Sequence, residues 1–85
     1  MSYFDWMVET RIATRHRVVK AAIIRFGGIA VDCTIRNLST TGALLEVSSS
    51  VRIPAEFTLF VPSDGLRLPC ALVWRTEYRM GVHFD

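Results

Sequence analysis

Two groups of residues have the types and spacing to do chemistry. The first is Arg11-Ile-Ala-Thr-Arg15, with Arg17 two residues further on. A guanidinium presents its N–H donors as a planar fork, which grips phosphate oxygens bidentately and also matches the O6 and N7 acceptors of guanine. Several such forks just ahead of a packed domain make a cationic arm for an anionic partner. Taken alone, an Arg-x-x-x-Arg spacing is more often a solvated basic linker. The second group is Asn37-Leu-Ser39-Thr-Thr-Gly42. Its Asn offers donor and acceptor to a base edge, and hydroxyls with a glycine amide suit an approaching phosphate. Gly42 permits either a positive φ or a close backbone contact. Alone, this segment also reads as an ordinary Asn/Ser/Gly turn.

Other chemistries find little support. His16, Cys33, Cys70 and His83 lack the short paired spacings of a zinc site, so two core thiols and two surface imidazoles are expected, with no metal and no cofactor. Glu46 and Glu56 have no basic or nucleophilic partner placed by the sequence, and neither histidine sits in a catalytic arrangement. The chain is not expected to be an enzyme.

The elements that position these groups follow a period of two. Val31, Cys33 and Ile35 alternate with Asp32, Thr34 and Arg36, and Phe57, Leu59 and Val61 with polar neighbours. Leu66, Leu68, Cys70, Leu72 and Trp74 share one face, as do Met80, Val82 and Phe84. Val18 to Phe26 is a β-branched, apolar first strand, and Ala43 to Val47 a short third one with Leu45 and Val47 inward. Gly27-Gly28 predicts a tight hairpin, and Pro62-Ser-Asp-Gly65 a turn; Arg75 to Tyr78 is a weaker turn and Ser48 to Ala55 a longer loop. Pro69 cannot donate to a ladder, so the fifth strand is expected to be locally at an edge or bulged. Leu44 and Phe60 are expected to face solvent. Six short strands of this kind predict an all-β fold, a small six-stranded antiparallel barrel whose closure removes aggregation-prone edges. Residues 1–17 are read as an N-terminal segment with a flexible arginine arm, and 18–85 as the barrel.

Length and charge agree with this frame. Eighty-five residues make one domain, which buries about 60–65% of its unfolded surface. The net charge of +2 conceals an asymmetry: Thr10 to Val31 holds five basic residues and no acid, while the remainder has five basic against eight acidic, a net of −3. A basic first third points to an anionic partner. The N-terminus shows no signal peptide, and no apolar run reaches the ~18 residues of a membrane helix, so a soluble cytoplasmic location without membrane insertion is expected.

The two motifs in this order, separated by the Gly27-Gly28 hairpin, resemble the PilZ domain family of bacterial receptors for the second messenger cyclic di-GMP. That family is marked by Arg-x-x-x-Arg followed by Asp/Asn-x-Ser-x-x-Gly, here Arg11/Arg15 and Asn37/Ser39/Gly42. The closing Val73-Trp74-Arg75 and Gly81-Val82-His83-Phe84 are similar to its last hairpin, so the resemblance runs from about Glu9 to the C-terminus. It implies a split-barrel fold and a cyclic di-GMP site in which Arg11 and Arg15 clamp guanine edges and phosphates. Asn37 and Ser39 would meet the ligand from the barrel side, with Gly42 keeping that surface open. Arg17 joins this set on charge and proximity alone. Ordering of the arm over the ligand would create a new surface for an unidentified protein effector, with the domain a monomer or a homodimer. Thr10 stands where many relatives have a further arginine, which leaves one ligand molecule or a stacked pair open. Two rivals stand beside this reading. One is a protein-only adaptor using Leu44 and Phe60 as an apolar patch. The other is a small-barrel nucleic-acid binder, against which the strands show no interleaving of exposed aromatic and basic residues.

Overall fold

The structure is a computed structural model and describes residues 16–48 and 50–85. Arg11 and Arg15, and with them the arm, lie outside the described residues. Six strands follow in chain order: β1 (His16–Phe26), β2 (Ile29–Leu38), β3 (Gly42–Val47), β4 (Glu56–Val61), β5 (Leu66–Arg75) and β6 (Arg79–Phe84). They close into a barrel in the order β1-β2-β3-β6-β5-β4, with every neighbouring pair antiparallel. No helix among the described residues is long and apolar enough to cross a membrane.

The alternation in sequence becomes the inside and outside of this barrel, because successive side chains of a strand point to opposite faces. Ile24, Ile35, Leu45, Leu59, Met80 and Val82 are fully buried, and Val31, Phe57 and Val61 complete the same core. The loop before β4 adds Ile53, which is buried although no periodicity marks it. The β1–β2 hairpin turns on Gly27 and Gly28, with φ of 51° and 81°. Positive φ at both central residues is what a twist-matched two-residue turn requires. Pro62–Asp64 forms a single 3₁₀ turn, closed by the Gly65 N–H donating to the Pro62 carbonyl at 3.2 Å.

Three details differ from the sequence reading. β1 begins at His16 rather than Val18, so Arg17 is a strand residue paired with Asn37. On β5 only Cys70 of the expected apolar face is buried; Leu68 and Leu72 are half-buried and Leu66 is exposed. The cause is that β5 outruns β6: pairing with β6 starts at Cys70, so Leu66 to Leu68 are ladder-paired on the β4 side alone. A register shift between Leu72 and Trp74 inserts Val73 and breaks the alternation again. Pro69 sits at the local edge this leaves, its carbonyl accepting the Asp85 N–H at 2.9 Å. Finally, Leu44 and Phe60 are half-buried rather than exposed. Leu44 forms part of a cavity wall, and Phe60 lies beneath two guanidiniums.

Candidate functional site

The described part of the candidate site is built where β1, β2 and β3 lose register. Arg17 pairs with Asn37 and Lys20 with Ile35, so β1 carries one residue more than β2 between these pairs. Ile35 pairs with Leu45 and Asn37 with Leu44, so Arg36 is the extra residue on the other side. Both irregularities fall at Arg36. Bulges bend a strand and re-aim its side chains, and here they accompany Arg36 and Asn37 facing the same hollow. Arg17, Arg36, Asn37, Leu44 and Arg79 line a surface cavity of about 260 Å³. Two of its three guanidiniums face one carboxylate, since Glu46 lies 3.8 Å from Arg36 and 4.0 Å from Arg79. These long, partly exposed pairs hold the arginines loosely. The hollow therefore retains cationic donors for an anionic ligand, with the neutral Asn37 amide beside them.

The loop after Asn37 is shaped from within. The Ser39 backbone N–H donates to the Gly42 carbonyl at 3.0 Å. Its hydroxyl accepts from the N–H groups of Thr41 and Gly42, each at 3.2 Å, and lies 3.3 Å from the Gly42 carbonyl to which it donates. Ser39 is only 6% exposed, the one buried polar side chain among the described residues. Gly42 is buried too, and its φ is not positive. A Cβ there would collide with the carbonyl oxygen of Val82 on β6, so this glycine serves close backbone approach. In the described residues Ser39 and Gly42 thus fix the loop that follows Asn37, while Arg17 and Asn37 line the hollow.

Arg36 and Arg79 are the functional candidates that sequence reasoning missed. Arg36 adjoins the second motif, a signal that was present. Arg79 reaches the hollow only because β3 pairs with β6, with Glu46 opposite Arg79, which no local pattern reveals.

A larger concavity of about 490 Å³ lies beside it, lined by Asp32, Thr34, Glu46, Tyr78 and Arg79 among others. Its two carboxylates against one guanidinium oppose an anionic ligand, so electrostatics favours the smaller hollow despite the volumes. Cys33 at its floor is no nucleophile. Burial, then the Asp32 charge and Cys70, push its thiol up to about 12. Among the described residues no group of three or more His, Cys, Asp or Glu is placed to hold a metal ion.

Comparison with known families places this geometry. The PilZ domain family matches residues 9–85. The chain therefore belongs to the PilZ domain family, a family of cyclic di-GMP-binding domains that are generally binding modules rather than catalysts. No protein with a curated description matches the chain.

Proposed function

We propose that this domain binds cyclic di-GMP at the hollow on β1, β2, β3 and β6, with Arg11 and Arg15 closing over the ligand. The observation that carries this reading is the convergence of Arg17, Arg36, Asn37 and Arg79 on one cavity beside the Ser39–Gly42 loop. Cyclic di-GMP presents two phosphates and two guanines, and arginine forks with an Asn amide are the complementary donors and acceptors. At about 260 Å³ the hollow is smaller than the ~300 Å³ or more of a typical ligand site. It takes part of a dinucleotide, and the remainder falls to Arg11 and Arg15. The arm orders on binding, and arm plus ligand form the surface that an effector protein reads. Arg17 and Asn37 contact the ligand directly; Ser39 and Gly42 hold Asn37 and the following loop in place.

Isothermal titration calorimetry with cyclic di-GMP tests this. Saturable heat is expected from the intact chain. Arg11→Ala and Arg15→Ala each abolish it, and Arg17→Ala weakens binding by about tenfold, as for loss of one charge-assisted contact. Circular dichroism of each variant should remain that of the parent. Absence of heat at high micromolar ligand overturns the proposal and leaves a domain that binds protein alone.

A further inference from the structure

The opposite wall of the barrel carries a second cationic feature, outside the site just described. Arg25 on β1 and Arg67 on β5 both place their guanidiniums over the ring of Phe60 on β4, at 5.3 and 5.7 Å from its centroid. Register brings them together: Phe60 pairs with Ile23 on one side and Arg67 on the other, and Arg25 pairs with Thr58, two residues before Phe60 and on the same face of β4. Neither arginine forms an ion pair with a described residue, whereas Lys20, Arg36 and Arg79 do. Arg25, Thr58, Phe60, Arg67 and Pro69 line a surface cavity of about 390 Å³. A second hollow continues from Arg25 and Thr58 to the Gly27-Gly28 hairpin and the exposed Ile29.

We propose that this face is a docking surface for an acidic segment of a partner protein. A cation–π contact restrains each guanidinium over the ring and, with no ion pair to a described residue, leaves its N–H donors available to a ligand. Phe60 thus holds two forks ready for carboxylates at little further entropic cost. Exposed Ile29 beside this face supplies apolar contact, and arginine with aromatic side chains is the composition enriched in protein interfaces. A nucleic acid fits less well. One ring gives no platform for successive bases, and that ring is already covered by its two arginines. The surface is also independent of the cyclic di-GMP site. Arg17 and Arg25 are eight residues apart on β1, about 26 Å at the strand rise, and β4 and β5 lie across the barrel from β2 and β3.

The test is an NMR titration of the 15N-labelled chain, without cyclic di-GMP, using a capped tetraglutamate peptide and, separately, a short oligouridine. Tetraglutamate is expected to shift the backbone amides of Arg25, Thr58, Phe60 and Arg67 in a saturable way. The double variant Arg25→Gln/Arg67→Gln should lose at least tenfold in affinity, and Phe60→Leu several-fold with both charges intact. Arg17→Ala should leave these shifts unchanged, which separates this proposal from the ligand-site reading. Lack of a saturable shift at millimolar peptide overturns the proposal, as does unchanged affinity in the double variant. Saturation by oligouridine alone also overturns it, in favour of a nucleic-acid surface.

Discussion

Ser39 and Gly42 belong to a motif associated with ligand binding, yet in the structure their chemistry is directed into the protein. The Ser39 hydroxyl accepts two backbone N–H groups in a loop of four residues, and Gly42 lies against the Val82 carbonyl. Ser39→Ala leaves the Thr41 and Gly42 donors without that acceptor in a part-buried loop, at a cost of about 1–2 kcal/mol. Gly42→Ala costs more, about 2–3 kcal/mol, because a backbone carbonyl rather than a flexible side chain must move. Both effects are measurable by urea denaturation, with the midpoint falling and the slope unchanged. Neither substitution removes a charge from the hollow. A Ser39→Ala chain as stable as the parent would show that the hydroxyl's place is at the ligand rather than in the loop.

At the scale of elements, the first strand is pinned at several points along its length. Lys20 of β1 donates to Asp64 of the 3₁₀ turn at 2.6 Å, joining the strand to the connection between β4 and β5. The Lys20 hydrogen bond holds the Asp64 carboxyl below its ordinary value. A carboxylate whose pKa is depressed by folding stabilises the fold above its unfolded pKa, and that contribution is lost as pH falls through the folded pKa. Asp64→Asn is therefore expected to lower the melting temperature slightly at neutral pH, with the difference vanishing in acid. Thermal melts of both chains across that range check it; a difference persisting in acid would assign the effect to something other than the ion pair. Strands, the Gly27-Gly28 turn and the buried alternation on β2, β3 and β4 were all legible in the sequence, because each depends on a few consecutive residues. The three register shifts were not, because a bulge is a property of a pair of strands. The same reason hid Arg36 and Arg79 as partners in one hollow, and the contact of Phe60 with Arg25 and Arg67. Interleaving of aromatic and basic residues is absent along any one strand but present across three.

For the molecule as a whole, closure of the barrel should make opening cooperative, and the two thiols report on it. Cys33 is flanked by Ala22 of β1 and Val47 of β3, and Cys70 by Phe57 of β4 and Phe84 of β6. Both are buried and free, on opposite walls of one core. Burial is the main cause that pushes each thiol up to about 12, from 9.0. Only the thiolate attacks a disulfide reagent, so a folded chain near pH 8 presents neither the exposure nor the charge that reaction needs. Reaction with a chromogenic disulfide is therefore expected to track global unfolding, at least about a thousandfold slower than in denaturant, where both thiols react. The linkage has a defined sign. A thiol pKa raised by folding contributes its stabilisation fully below 9.0, and that contribution is lost as pH climbs towards about 12. Denaturation midpoints should accordingly decline above that lower value, and less steeply in Cys33→Ala/Cys70→Ala once its own lower baseline is subtracted. Rapid reaction of a single thiol in the native chain would contradict cooperative closure. Reaction at Cys70 would locate the weak seam on β5, where the strand outruns β6, and reaction at Cys33 would locate it at the end of β3.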